Sequence, residues 1–222
     1  LELLLNELSH LDGDFRLRVG MLNPMLVSGR SDSMAKAWGD SRTYKFMHLP
    51  IQSGSQKILD SMLRDHTLED FWEVVETFRQ YYPEMMIITD IITGFPGETD
   101  EDHQKTVDLL NRLLPALVNL TRFSPRQGTP AARYKRVNSN TVKARSKELT
   151  ELRKKLGAKS FKRFVGRKTS VLAVENQRQG STLCRDDNYR PIIIKEELPL
   201  GEFYDVEIID SDYAFLLSLI HI

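Results

Sequence analysis

Two stretches set small polar groups where a strand gives way to a helix. HLPIQSGSQ, residues 48–56, follows Phe46 and Met47 and places Gln52, Ser53, Gly54 and Ser55 ahead of a helical pattern that starts at Gln56. An amide and two hydroxyls at such a junction suit the hydroxyls of a ribose or the carboxylate of an amino acid, and Gly54 permits a tight backbone. Ser55 suits a second role equally well, as the cap of the helix that follows it. GFPGE, residues 94–98, closes an apolar run. Its Gly94 and Gly97 allow positive φ and a close approach of backbone N–H groups to a ligand, and Glu98 leads into the next helix. No Lys-Ser/Thr ending follows, so this is not a phosphate loop, and a plain turn before a helix accounts for it as well.

Charged residues inside apolar runs raise the same question. Asp90 interrupts MMIITDIITGF, residues 85–95, where a carboxylate needs a partner or a ligand. Arg18 in LRVGML is a candidate partner for Asp90 or for a ligand carboxylate. His48, between Met47 and Leu49, reads as a buried supporting histidine rather than a base. No side chain stands out as a nucleophile or as a general acid. The single cysteine, Cys184, excludes an internal disulfide and reads as a small apolar strand residue. One thiol cannot ligate an iron–sulfur cluster, and no close His/Cys pair suggests zinc, so no metal site is expected.

Charge supplies a third signal. The formal net charge is zero, yet residues 126–168 hold 15 Lys/Arg against two acids, Glu148 and Glu151. Too few acids are present for a self-neutralising helix face, which favours an anionic partner such as RNA over a merely solvated surface. Arg126, Lys135 and Arg136 are the candidates for phosphate contact.

The elements that must position these groups follow from periodicity. Helices are expected over 1–11, 31–40, 56–64 and 68–81, the last capped by Thr67 and presenting Phe71, Val74, Val75 and Phe78. Another begins after Thr99, and a long basic helix runs over 141–164. Strands are expected over 15–22, 44–49, 85–95 and 116–123, the third covered on both faces. Strand, loop and helix repeat as in βαβ units, so the sheet should be parallel with its functional loops at the carboxyl ends of the strands. From about residue 165 the texture changes to five short β-type segments (TSVLAVE, STLCRD, RPIIIKE, FYDVEIID and YAFLLSLIHI), which read as a small antiparallel barrel of OB-like scale. A helix placed before a bare first strand suggests further parallel units upstream. The composition is that of a globular protein, no apolar run approaches the roughly 20 residues that span a bilayer, and LELLLNELSHL lacks a basic leader. A cytoplasmic setting without membrane contact is therefore expected, and the lone cysteine agrees.

Taken in order, LRVGMLNP, HLPIQSGS, TDIITGFPGET, RFSPRQGTPA and the closing GRKTSVLAVE, CRDDNYRPIII and LGEFYDVEI resemble the radical-SAM methylthiotransferases that modify tRNA. The closing unit is similar to their TRAM module. RVGMLNP and RFSPRQGTPA look most like the archaeal and eukaryotic branch, which converts N6-threonylcarbamoyladenosine beside the anticodon to its 2-methylthio derivative. The resemblance spans essentially the whole chain. It implies an α/β fold: the C-terminal half of a partial (β/α) barrel over residues 1–164, then a TRAM-like barrel over 165–222.

In that family one [4Fe–4S] cluster cleaves S-adenosylmethionine reductively, the resulting radical takes a hydrogen from an adenine carbon, and a second cluster delivers the methylated sulfur. The resemblance implies that Arg18, Asn23, Gln52, Ser53, Ser55, Asp90 and the Gly94–Glu98 turn face the cofactor and substrate. It likewise implies that Arg122, Arg126, Arg185, Asn188 and Arg190 face tRNA. The family's CxxxCxxC motif and its earlier cysteines are absent, so the chain as given should ligate neither cluster and be inactive alone. The partners implied are tRNA, S-adenosylmethionine, an electron donor and the upstream half of the same enzyme. A methylthiotransferase acting on isopentenyladenosine in tRNA or on a ribosomal protein, and a non-catalytic RNA-binding protein, are the alternatives.

Overall fold

Three strands, β1 (Phe46–His48), β2 (Met86–Thr93) and β3 (Leu117–Arg122), form a parallel sheet in that order in the computed structural model, which describes residues 1–177 and 180–220. Helices α1 (Glu2–Ser9), α2 (Ser31–Ala37), α3 (Gln56–Ser61), α4 (Leu68–Tyr81), α5 (Asp100–Leu113) and α6 (Ser139–Lys162) accompany it. The apolar stripe of α4 is buried as its spacing requires. Both α4 and α5 start on reciprocal capping boxes, Thr67 with Asp70 and Thr99 with Asp102. Side chains of Ile87, Thr89, Ile91 and Thr93 are buried on one face of β2, whereas Ile88, Asp90 and Ile92 on the other are only half-buried. The expectation of a strand covered on both faces is therefore met on one face only.

One further expectation is corrected. Residues 15–22 form no strand but an extended segment with isolated bridges, Leu17 to Thr43 and Met21 to His48. Four residues lead from Leu17 to Met21 and five from Thr43 to His48, so the pairing slips by one residue and no ladder can run through. On α1 only Leu5 is buried, and Leu1, Leu3, Leu4 and Leu11 are exposed.

Beyond α6, strands β4 (Lys168–Gln177), β5 (Ser181–Arg185), β6 (Pro191–Ile194), β7 (Phe203–Ser211) and β8 (Leu216–Ile220) close into a barrel in the order β4-β5-β6-β8-β7. Every pair is antiparallel except β6 with β8, which is parallel. An odd number of strands cannot close with alternating directions all round, so one parallel pair is obligatory, and the wholly antiparallel expectation fails on parity. Closure leaves no free edge. Of the fifth expected segment, His221 and Ile222 lie outside the described residues. No helix among the described residues is long and apolar enough to cross a membrane.

The barrel and the sheet share one core. Val171, Cys184, Ile192, Val206 and Leu216 from the barrel pack in the same cluster as Phe46, Met86, Ala116, Phe161 and Phe164. The barrel thus covers the amino-terminal part of the sheet's second face and leaves the carboxyl end open. Gly157 of α6 makes this approach possible, because a Cβ there would overlap the Tyr213 carbonyl oxygen and crowd that of Ala116 at 3.3 Å. Alanine normally favours a helix over glycine by about 1 kcal/mol. Here Gly157→Ala is expected to destabilise the chain by about 1–3 kcal/mol. Urea denaturation checks the sign.

Candidate functional site at the carboxyl ends of the sheet

Gln52 leaves β1 in a left-handed conformation, φ 73°. Its N–H donates to the Asp90 carbonyl at 2.8 Å, and its own carbonyl accepts from Ile92 at 2.9 Å. The backbone is therefore held against β2 while the side-chain amide has no hydrogen-bond partner among the described residues. The next three residues turn the other way, onto α5. Gly54 N–H donates to Thr106 Oγ1 at 2.9 Å, and a Cβ on Gly54 would overlap the Lys105 carbonyl. Ser53 Oγ accepts from the Ser55 N–H at 3.2 Å. Ser55 stands at the N-cap position of α3, yet its hydroxyl donates to Asp102 Oδ1 at 2.7 Å instead of capping the helix.

Of the four polar positions, only Gln52 presents an uncommitted group. Ser53, Gly54 and Ser55 are buried in the junction with α5, which corrects their expected place against a ligand. Asp102 anchors that junction, accepting also from Lys57 and the Thr99 backbone. Burial alone would raise its carboxyl. The hydrogen bonds from Lys57, Thr99 and Ser55 outweigh burial and hold it well below the usual carboxylate range.

The GFPGE turn is cinched from outside the motif. Glu98 Oε2 accepts from the Gly94 N–H at 2.9 Å and from Arg145 Nη1 at 2.6 Å, and the same nitrogen reaches the Glu98 carbonyl at 3.1 Å. Arg145 Nη2 bonds Asp100 at 2.7 Å. The two paired side chains are 2% and 7% exposed, so this ion pair is a buried one. Burial disfavours the Arg145 charge, but the bonds to Asp100 and Glu98 more than offset it and raise its pKa. Gly94, at φ 77°, would bring a Cβ within 2.6 Å of Val142 on α6. Gly97, at φ 85°, faces open space instead. Charge counting alone does not single out Arg145 among the basic residues. The signal that could have found it is its place on the apolar stripe of α6, one turn before Leu149, Leu152 and Leu156.

Asp90 lies at the open end of the sheet, where Oδ1 meets His48 Nε2 and Asn119 Nδ2, each at 2.8 Å. Those partners come from the flanking strands, and Asn119 sits directly opposite in register. Arg18 is not among them. Its guanidinium lies 4.9 Å from the ring centres of Phe46 and Tyr189, against the barrel. Asn23 is likewise occupied, accepting from the Met25 N–H at 3.2 Å to cap the short turn Pro24–Leu26.

Past the end of β3 the surface opens into a cleft of about 420 Å³, lined among others by Phe95, Arg122, Phe123, Arg126 and Tyr134. The Phe95 and Phe123 rings meet edge-on, 5.0 Å apart. Arg122 and Arg126 are exposed and have no carboxylate partner among the described residues. Aromatic faces beside unpaired guanidinium groups suit a nucleobase and its phosphate. Lys135 and Arg136 are exposed just beyond it.

The barrel's candidates are elsewhere. Arg190 is buried, bonding Asp186 at 2.7 Å and the Glu84 carbonyl at 2.8 Å and stacking on Phe164 at 3.8 Å. Arg185 stacks on Tyr189 at 4.2 Å and donates to its carbonyl, and burial lowers its pKa. With its amide oriented to satisfy both ends, Asn188 donates to the Glu84 carbonyl at 3.0 Å. Arg190 and Asn188 fasten the barrel to the Glu84 carbonyl ahead of β2, while Arg185 bonds and stacks within the barrel. Each of the three expected RNA contacts thus has an intramolecular partner, and only Arg190 is fully buried. Cys184 is buried in the barrel with its thiol pushed up to about 11 by burial.

Residues 2–110 match the model of the radical SAM superfamily. Those residues, just under half of the chain, are a radical SAM domain. It is 42% identical to the probable threonylcarbamoyladenosine tRNA methylthiotransferase of Archaeoglobus fulgidus over 97% of this chain and 50% of that protein. It is 33% identical to the threonylcarbamoyladenosine tRNA methylthiotransferase of Xenopus laevis over 90% of this chain and 36% of the other. The chain thus spans about half the length of the archaeal relative. In three dimensions it is similar to coproporphyrinogen III oxidase from Escherichia coli, with a TM-score of 0.55 at 14% identity over 71% of this chain and 38% of that one. That likeness concerns the fold alone, and it agrees with a parallel sheet whose open end carries the loops described here.

Two outcomes follow from the junctions. Arg145→Met strands Glu98 as a buried unpaired carboxylate and is expected to cost about 3–5 kcal/mol. The Arg145→Met/Glu98→Gln pair should cost clearly less than the two single changes summed, as read by a double-mutant cycle. The stability that Asp102 adds is fully present above its unfolded-state value near pH 4 and is lost as pH falls through its depressed folded-state value. Asp102→Asn should therefore flatten the acid limb of stability against pH, measured by denaturation between about pH 2 and 6.

Proposed function

We propose that this chain is the C-terminal part of a radical-SAM transferase that converts N6-threonylcarbamoyladenosine beside the anticodon of tRNA to its 2-methylthio derivative. The observation that carries this reading is the cleft at the strand ends, where Arg122, Arg126, Phe95 and Tyr134 lie beside the GFPGE turn. The names of the relatives agree with it. A five-stranded closed barrel with one parallel pair supports an OB-like TRAM module over residues 165–222, following a partial (β/α) unit over 1–164.

The residues present fit S-adenosylmethionine: the uncommitted Gln52 amide, Asp90 held by His48 and Asn119, and the open backbone at Gly97 all border the strand ends. That cofactor supplies the means of removing a hydrogen atom from the adenine ring. Gln52 and the Gly97 backbone bind it, and Asp90 is fixed in one orientation by its two neighbours. Phe123, Tyr134 and the two arginines hold the nucleotide, with the buried Phe95 ring backing Phe123. An iron–sulfur cluster does not fit these residues, since the one thiol is buried in the barrel and no group of metal-binding side chains occurs among the described residues. The two clusters and the docking of the electron donor belong to the remaining length of the enzyme. The exposed leucines of α1 and the irregularly bridged segment 15–22 beside β1 suit contact with that part. Its place of action is the cytoplasm, where tRNA is met.

Arg122→Ala and Arg126→Ala together, in the full-length enzyme, are expected to lower tRNA affinity on the order of tenfold and to reduce the log–log salt slope by roughly 1 for each phosphate left without its arginine. Fluorescence anisotropy against salt measures both. An unchanged affinity and slope would remove the cleft from the RNA interface.

A further inference from the structure

A second cationic cleft lies at the opposite end of the sheet. Arg79 from α4, Lys159 from α6, Arg163 directly after that helix, and Arg190 from the barrel line a space of about 270 Å³ beside the first residues of β2 and the approach to β3. Glu84 is the one acid on its wall, and it is already engaged: Oε1 bonds Arg167 at 2.9 Å, and Oε2 stands 4.0 Å from Arg190. Arg190 is neutralised again by Asp186 at 2.7 Å. Glu76, near Arg79 on the same helix, is paired with Arg112 at 2.6 Å.

Arg79, Lys159 and Arg163 are left without a carboxylate partner among the described residues. Arg79 donates to the Leu113 carbonyl, so part of its guanidinium is committed. Among the described residues Lys159 has no hydrogen bond or ion pair, and Arg163 only stacks, 4.7 Å from the Phe164 ring centre. Burial lowers the pKa of both Arg79 and Arg163, and the neighbouring arginines lower it further: Arg163 acts on Arg79, and Arg190 and Arg167 act on Arg163. Glu84 and Glu76 offset part of this repulsion, but both are already engaged by other arginines. Like charges gathered with too little counter-charge raise the energy of the folded chain, and an anion removes that cost.

The shape narrows the class of anion. Phe161, the aromatic residue on the wall, is buried, so no ring face is offered for a base to stack on. What is offered is a guanidinium fork and an ammonium, the donors that hold phosphate oxygens. β3 separates this cleft from the one at Arg122 by about 20 Å, at roughly 3.3 Å per residue. One extended polyanion can touch both.

We propose that the Arg79–Lys159–Arg163 cleft is a phosphate site that takes a backbone phosphate of the bound RNA, several nucleotides from the base held at the other end of the sheet. The site sets the register of the RNA and reads no sequence. This inference rests on the RNA-modifying reading above for its ligand, but not on the identity of the modified nucleoside.

The test uses the full-length enzyme with a Lys159→Gln/Arg163→Gln variant, both positions being exposed, and compares it with Lys143→Gln/Lys147→Gln, which removes equal charge from the other half of α6. Thermal unfolding confirms that both variants fold. The first variant should bind tRNA on the order of tenfold more weakly, with its log–log salt slope reduced by roughly 1–2, and should raise KM for tRNA while leaving kcat. Equal weakening in both variants would overturn the site in favour of diffuse attraction. Loss of inorganic phosphate binding, followed by ³¹P NMR, with tRNA affinity unchanged would make it a free-phosphate site and also overturn the proposal. If tRNA proves not to be the modified substrate, the same contrast measured on a generic structured RNA still decides the site on its own.

Discussion

The buried pair between Glu98 and Arg145 holds the working end of this molecule in shape. Glu98 closes the turn after β2 by accepting from Gly94, and Arg145 locks that turn to α6. A buried ion pair contributes little net stability, because desolvation offsets most of the attraction. Its consequence here is positional. It ties the second turn of α6 to the strand-end loop, and α6 then runs down the sheet to bring Phe161 and Phe164 to the core shared with the barrel. The strand-end loop, the basic helix and the barrel are therefore one mechanical unit.

The sheet also divides its labour by face. One face is sealed by helices with apolar spacing and capping boxes. The other is plugged by the barrel at the amino end and left open at the carboxyl end, where Asp90, His48 and Asn119 form a polar cluster across all three strands. Cations without a carboxylate partner among the described residues line both ends of the sheet, and no exposed aromatic ring accompanies those at the amino end. That difference is what assigns a base to one cleft and a phosphate to the other in the proposed reading.

Much of this was legible in the sequence, for identifiable reasons. Phe71, Val74, Val75 and Phe78 name one helix face, and Thr67 and Thr99 name two helix starts, because both signals are local. The uneven charge of residues 126–168 points to an anion without any knowledge of the fold. What could not be read were pairings between distant residues. Arg145 looks like one base among fifteen, although its place on an apolar stripe marks it as buried. The segment 15–22 has strand composition, yet a one-residue slip against β1 denies it a ladder. Ser53 and Ser55 are chemically fit to bind a ligand, and only the approach of α5 shows them to be engaged. In CRDDNYR the arginines look ready for phosphate, but Asp186, the Glu84 carbonyl and the Tyr189 and Phe164 rings claim them.

The central claim is that this sheet and barrel belong to an enzyme acting on N6-threonylcarbamoyladenosine in tRNA. Mass spectrometry of nucleosides from tRNA of a strain lacking the gene tests it most directly. The account predicts that the 2-methylthio derivative disappears, that its unmodified precursor accumulates, and that the full-length gene restores it. Persistence of the methylthio nucleoside in the deletion strain would contradict the account.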